Sequence, residues 1–450
     1  MSRSLWLDTV LAPHAQLTQD ICADVAILGG GLAGLQTAYA LTAAGKKVVV
    51  LEADHFLHGV SGHTTAKVTA QHGAIYQKLL RKWGPAVAQA YWQLNQQAIL
   101  DIRRIQEEVN VDCDWQPQSA FLYATTPGDV KTLQREQIAL TQIGVSTRLM
   151  DNQGLPLPVL QELELPEQAS FHPLRYGAAL LQALELAGCG LYEHSRVIRL
   201  EEGTVHTDAG LVQAPWVIMA THFPILNHPG YYFARMKQQR SHLMAVLGPR
   251  MTGMHRDVQP KGYSFRMQQK LLLVGSDDYR TGTKGHRAHA EALERFVYQA
   301  YPGADIIRCW SAQDCMTFDD LPYIGVYSRK TPRLLVATGF AKWGMTLSQV
   351  AARVLTGLVL GREVEGSAFL SPQRSLGPAM GGLVANGTAQ AGHFAVSAVQ
   401  PRCPTCTHMG CKTQYNAEEG TWDCPCHGSR FDREGQVLEG PALQNLKTIP

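Results

Sequence analysis

The chain has 450 residues, 45% of them hydrophobic and only 17% charged, with 41 glycines. That composition excludes a disordered or coiled-coil protein and leaves room for two or three domains with a substantial core. Forty basic against 38 acidic residues, a net charge of +2, show neither the basic excess that nucleic acid calls for nor an acidic tail.

Residues 1–20 are mixed and lack the basic start and apolar run of a targeting segment. No apolar stretch reaches the roughly 18 residues of a membrane span, so the expectation is a soluble, cytoplasmic protein. Residues 24–28 (DVAIL) predict a buried parallel strand, followed by the glycine-rich turn Gly29 to Gly34 and a helix from Leu32 to Ala44, stopped by Gly45. Residues 47–51 (KVVVL) predict a second buried strand ending at Glu52, which completes a βαβ unit. Helical patterns follow at about 86–109, 128–143 and 176–187, then short strands between 191 and 213 and a buried strand at 215–220. The stretch 240–275 alternates like an antiparallel sheet, 286–300 is helical, 333–338 is a strand and 344–360 a helix. Residues 366–392, rich in Gly, Ser, Ala, Pro and Asn, are expected to be a linker.

Gly29-Gly30-Gly31-Leu32-Ala33-Gly34 fits G-x-G-x-x-G, between a strand and a helix. Gly29 permits the tight turn, Gly31 lets the chain approach a pyrophosphate, and Gly34 lets the helix pack on the sheet. The helix N-terminus offers free N–H groups and positive dipole to phosphates. Glu52, 23 residues after Gly29, can accept hydrogen bonds from ribose hydroxyls.

Four stretches resemble the D-amino-acid-oxidase-like superfamily of FAD oxidoreductases, which includes glycine oxidase and sarcosine oxidase, over residues 24–365. They are the βαβ unit, Ser61-Gly62-His63-Thr64-Thr65-Ala66-Lys67, Val217-Ile218-Met219-Ala220-Thr221, and the run from Trp310 through Leu321-Pro322-Tyr323-Ile324-Gly325 to Gly339-Phe340 and Gly344-Met345-Thr346. The resemblance implies a Rossmann-like FAD-binding fold (about 20–80, 170–230 and 310–365) interleaved with an antiparallel-sheet substrate domain (about 81–169 and 231–309). It implies cofactor contacts at Gly29, Gly31, Leu32, Ala33, Gly34, Glu52, Ala53, Ser61, Gly62, Thr65, Lys67, Val197, Ala220, Thr221, Gly339, Phe340, Gly344, Met345 and Thr346. The last helix would aim its N-terminus at the flavin, where its dipole favours negative charge.

In amino-acid-oxidising relatives an arginine clamps the substrate carboxylate; the alignment puts Asp314 there. An aspartate attracts an ammonium group, which points to an amine-type substrate; the alternative is that Asp314 caps a turn or pairs with a nearby base. Lys67 is a catalytic candidate that could stabilise charge at the ring or lie at the surface. His63 resembles, one position displaced, a histidine that tethers flavin in some relatives. Cys315 resembles a flavin-linked cysteine but is out of register, and reads as a buried thiol.

Of ten cysteines, five (Cys403, Cys406, Cys411, Cys424, Cys426) lie within 24 residues near the C-terminus, which suggests a metal module. Cys406-Thr407-His408 and Cys424-Pro425-Cys426-His427, 15 residues apart, resemble the Rieske 2Fe–2S family over residues 393–450. The resemblance implies Cys406, His408, Cys424 and His427 as ligands, a disulfide between Cys411 and Cys426, Gly440-Pro441-Ala442 as a covering loop, and Ser429 as a donor to a cluster sulfur. Phe431 stands where high-potential respiratory members carry tyrosine, so a lower potential than theirs is expected. A four-thiolate zinc site using Cys403, Cys406, Cys424 and Cys426 is the competing possibility. Few strands fit before Cys406, so the supporting sandwich is expected to be short.

Together these imply an FAD-dependent dehydrogenase that oxidises an amine-type (C–N) substrate by hydride transfer, its electrons passing singly through the cluster to an external acceptor. Two rivals are a flavin–Rieske reductase feeding a partner oxygenase, and a non-enzymatic redox sensor.

Overall fold

Val25–Leu28 and Val48–Leu51 are buried at every position, as strands covered on both faces must be, here by helices on one side and a small sheet on the other. They pair in parallel, Val25 with Val48 through Leu28 with Leu51. The computed structural model, which describes residues 3–283, 285–397 and 403–447, sets them at the middle of a six-stranded sheet. Its order is Tyr323–Ser328, Thr331–Thr338, Trp216–Met219, Val25–Leu28, Val48–Leu51, Gly190–Tyr192. The pair Tyr323–Ser328 and Thr331–Thr338 is antiparallel and the other pairings are parallel. Helix Leu32–Ala43 packs on Gly344–Val359 and Pro173–Leu186. A four-stranded sheet, Ile21–Cys22, Leu211–Gln213, Thr204–Thr207 and Val197–Glu201, shares an apolar core with this sheet.

The second large sheet has nine strands. From one edge they run Asp305–Thr317, Met236–Leu247, Leu271–Arg280, Ser264–Gln268, Met254–Asp257, Gln116–Ala124, Gln161–Ser170 and Lys67–Val68, with Arg148–Met150 also on Gln161–Ser170. It is mostly antiparallel, as expected, but Met254–Asp257 runs parallel to Gln116–Ala124. Side chains alternate between two environments. Leu243, Ala245, Trp310 and Ala312 join the large core shared with the six-stranded sheet, whereas Met244 and Val246 pack with Leu293 and Val297 of helix His286–Ala300. The sheet therefore has one face toward the dinucleotide-binding part and one away from it.

The stretch expected to be a linker is ordered. It holds the short turns Ala368–Leu370 and Gly377–Ala379 and the helix Met380–Ser397. A Cβ on Gly382 would fall 2.6 Å from Phe318 Cβ, so its glycine allows close packing. Gln390 Nε2 donates to Phe233 O at 3.3 Å. Tertiary contacts thus hold a helix that intrinsic propensity disfavours. Its far end carries Phe394 to the core of the C-terminal module. That module, whose residues 398–402 and 448–450 lie outside the described residues, has four short antiparallel strands: Gln414–Asn416, Thr421–Asp423, Arg430–Phe431 and Val437–Glu439. All follow Cys406.

Candidate active site and metal centre

Gly29 has φ +104°, and a Cβ there would sit 2.5 Å from Ala220 O. A Cβ on Gly34 would sit 2.0 Å from Gly29 O, so helix and turn can approach this closely only without side chains. Gly31 caps the helix without a side chain, and Leu32 N donates to Ser61 Oγ at 3.0 Å. Glu52 Oε2 accepts from Gly30 N at 2.7 Å and Oε1 from Asp54 N at 3.0 Å; Ala53 N also reaches this carboxylate. Burial raises the Glu52 pKa, against the pull of these N–H groups. The fold thus gathers the turn 29–34, Glu52, Ala53, Ser61, Gly62, Ala220 and Thr221 at the ends of the parallel strands. Val197 lies in the adjoining sheet, buried in one core with Leu51. A side-chain-free helix N-terminus beside a half-buried carboxylate acceptor fits a dinucleotide pyrophosphate and ribose, and FAD, when bound, supplies hydride acceptance.

The helix Gly344–Val359 starts at the same C-terminal end of the parallel strands, after Thr338. Thr346 Oγ1 donates to Thr69 O at 3.2 Å and lies 3.1 Å from His72 Nε2. Trp343 stacks on His72 with centroids 4.7 Å apart, and Arg256 lies 6.0 Å above the Trp343 ring. Lys67 is buried, and its Nζ donates to His255 O at 2.9 Å. Burial, with Arg256 and Arg266 adding repulsion, pushes its pKa well below that of an ordinary lysine. Arg266 is fully buried beside the Trp6 ring, and its Nη2 donates to Gln268 Oε1 at 2.6 Å. Its Nε and Nη1 find no acceptor among the described residues, and burial draws its pKa down to about 9. Asp314 Oδ2 lies 3.8 Å from Lys342 Nζ, so the nearby base that formed one of the two alternatives is present. His63 Nδ1 is 2.9 Å from Gly59 O. Thr65 is half-buried in the loop leading to Lys67. Gly339 and Phe340 lead into the helix Gly344–Val359, Gly339 beside Thr317, and Met345 is buried in the large core. Cys315 is a buried thiol 3.6 Å from His222 O. The sequence reading missed Arg256, Arg266, Lys342 and His72, because their convergence depends on the pairing of distant strands.

In the C-terminal module Cys411 and Cys426 form a disulfide, while Cys406 and Cys424 are free and buried. The sulfurs of Cys411, Cys424 and Cys426 converge, yet two are in the bridge and unavailable as thiolates. The same bridge removes Cys426 from a four-thiolate zinc set. Hydrogen bonding with Cys424 leads the effects that draw the Cys406 pKa down to about 7, toward the thiolate. The His408 and His427 rings lie 4.9 Å apart. Burial lowers the His408 pKa to about 4, and burial, with His408 and Arg280, lowers that of His427 to about 3, so both imidazoles are neutral. The hydrogen bond to Cys406 and burial hold the Cys424 thiol pKa well above the usual range, so the pair shares one proton in the absence of a cluster. Two adjacent buried thiols and two neutral imidazoles fit a 2Fe–2S cluster with mixed ligation. The Ser429 hydroxyl bonds to Cys406 and accepts from Ala442 N at 3.0 Å, tying the covering loop to the centre.

This module docks on the face of the nine-stranded sheet that points away from the dinucleotide turn. Gln238 Nε2 donates to His427 O and Gly440 O, both at 2.9 Å, and Gln313 Nε2 donates to Gly428 O at 3.0 Å. Arg280 donates to Pro425 O at 3.0 Å and Cys426 O at 2.8 Å. Buried Arg240 meets both oxygens of Glu419 at 2.6 Å, and Ser311 Oγ donates to Glu419 Oε1 at 2.6 Å. Within the module Arg430 binds Glu419, Asp423 at 3.1 Å and Glu439 at 2.6 Å. Burial opposes the Glu419 charge, but Arg240 and Arg430 overcome it and hold the carboxyl below the usual range.

The FAD dependent oxidoreductase family matches residues 24–358, and the Rieske [2Fe-2S] domain matches residues 395–450. The chain is 34% identical over 489 residues to the putative Rieske 2Fe-2S iron-sulfur protein YhfW of Bacillus subtilis (strain 168), spanning 98% of this chain and 96% of that protein. It is 24% identical over 380 residues to γ-glutamylputrescine oxidoreductase of Escherichia coli (strain K12), spanning 80% of this chain and 88% of that one. The fold is similar to glycine oxidase from Geobacillus kaustophilus, with TM-score 0.65 and 20% identity over 79% of this chain and all (100%) of that one. The chain belongs to the FAD dependent oxidoreductase family and carries a C-terminal Rieske domain, and it is an enzyme that binds FAD and a 2Fe–2S cluster.

Proposed function

We propose that the enzyme is a dehydrogenase for an amine-type substrate, with its two cofactors in one electron line. Per turnover the substrate loses a hydride from carbon to FAD and a proton from nitrogen, leaving C=N, and two electrons exit singly through the cluster to an external one-electron acceptor. The observation that carries this reading is the edge strand Asp305–Thr317. Trp310, Ala312 and Asp314 alternate with Ser311 and Gln313; Trp310 and Ala312 enter the core shared with the dinucleotide-binding part, while Ser311 and Gln313 hold the Rieske domain. One strand therefore links the two parts, and adjacent residues on it face the dinucleotide-binding part and the Rieske domain.

Relatives named for γ-glutamylputrescine and glycine support a C–N substrate. Within that class, the buried guanidinium of Arg266, with Arg256 and the Lys67 amine nearby, favours a carboxylate-bearing amine over a bare one. Asp314 already faces Lys342, so its attraction for a substrate ammonium is shared with an internal cation. The catalytic roles of Lys67 and Asp314 are to set the charge around the reacting carbon and nitrogen.

The test is an anaerobic panel of amines and amino acids, following flavin absorbance and the Rieske EPR signal together. Bleaching of the flavin and reduction of the cluster by the same compound is the expected result. Bleaching by NADH with no response to any C–N compound favours a reductase, and a cluster that stays oxidised beneath a bleached flavin removes the relay.

A further inference from the structure

We propose that Asn227, a residue of the flavoprotein domain, is the outer hydrogen-bond partner of the cluster ligand His408, so that docking of the two domains sets the electron affinity of the cluster. The inference rests on the reading of His408 as an iron ligand.

His408 Nε2 lies 2.7 Å from Asn227 Oδ1. The amide oxygen is an acceptor, so the ring proton sits on Nε2. Nδ1 is buried and has no hydrogen-bond partner among the described residues. An orphan buried nitrogen is costly unless something binds its lone pair, and iron at Nδ1 does so. The bond to Asn227 therefore selects the tautomer that ligation requires. It comes from the other domain: Asn227 follows the strand Trp216–Met219, and its own carbonyl is fixed by Tyr231 N at 2.9 Å.

Phe233, from the same segment, packs edge-on against both imidazoles, with centroids 5.7 Å from His408 and 5.4 Å from His427. The ring partly shields the Asn227 bond from solvent. An imidazole that donates from its far nitrogen is a more electron-rich ligand and stabilises oxidised iron. Asn227 thus acts as a positioning residue that lowers the reduction potential. The contact with His427 differs, because Gln238 reaches its main-chain carbonyl.

The experiment is an EPR-monitored redox titration of the full-length holoprotein, with histidine nitrogen couplings read by pulsed EPR. Asn227→Leu removes the acceptor and is expected to raise the midpoint by about 59 mV, a tenfold change in the one-electron equilibrium, and to alter one nitrogen coupling. Asn227→Asp, which retains an acceptor oxygen, and Phe233→Leu, which loosens packing alone, give no such rise. Asn227→Ala serves if the Leu variant does not load its cluster. An unchanged midpoint in the Leu and Ala variants overturns the proposal, as does an equal rise in Asn227→Asp or Phe233→Leu. A wild-type protein with no Rieske spectrum would instead remove the ligand assignment itself.

Discussion

The dinucleotide turn and the Rieske dock solve their problems with opposite materials. The turn is contiguous and made of backbone: Gly29 and Gly34 work because they lack side chains, and Glu52 follows on the next strand. The dock is made of side chains from places far apart in the chain. Gln238 and Gln313 meet because strand Met236–Leu247 pairs with Asp305–Thr317, setting Gln238 opposite Cys315. The first kind of site tolerates change around it and fails at single glycines. The second kind spreads its stability over many bonds, with Glu419 the carboxylate that directly bridges Arg240 and Arg430 across the dock.

The sharpest way to separate the two regions is to abolish one and keep the other. Cys424→Ser should lose the Rieske EPR signal altogether while FAD content stays near one per chain. Gly34→Val should do the reverse, because its side chain would collide with Gly29 O; flavin absorbance per protein checks both. Next in size is Glu419→Ala, which leaves buried Arg240 with only Glu439, 4.0 Å away, while Arg430 keeps Asp423 and Glu439. We expect a loss of about 3–5 kcal/mol in urea unfolding. Because the Glu419 pKa is depressed in the folded protein, its contribution is complete above its unfolded pKa of about 4.3 and is lost as the pH falls below that. Wild type should therefore lose stability more steeply than Glu419→Gln from about pH 5 downward.

Smaller effects probe the pocket and the relay. Arg266→Met should raise KM about tenfold for a carboxylate-bearing substrate, about 1.4 kcal/mol, and leave a bare amine unaffected. The effect would be sharper evidence for the cationic wall than any change at Asp314. Gln313→Ala removes a hydrogen-bond donor at the dock and should cost about 1 kcal/mol of stability. In stopped flow it should slow cluster reduction by a few-fold and leave flavin bleaching unchanged.

The parts of the fold written in short apolar runs were legible: the strands Val25–Leu28 and Val48–Leu51, the helix from Leu32, and the alternation from 240 to 275 all occur close to where they were expected. The strand Gln161–Ser170 was not, because it buries Glu162 and Glu164. Those carboxylates are satisfied by His255 at 3.0 Å and by Ser119 and Arg148, partners that a polar segment does not announce. The helix Met380–Ser397 was hidden for another reason. Its glycines lower helix propensity, and packing on Phe318 and Phe233 supplies what propensity does not. At the site, the glycine turn and the Cys/His spacing were visible because each is local. Asn227, Gln238, Arg266 and Arg280 were invisible because nothing near them in sequence marks the surface they face.

The most direct test of the docked pair is the order of its electron transfer. After anaerobic mixing with a reducing substrate, the rate of cluster reduction should be first-order and unchanged when protein concentration is raised tenfold. A rate that grows in proportion to concentration would mean that electrons pass between molecules, and that the contacts through Gln238, Gln313 and Arg280 do not define the working path.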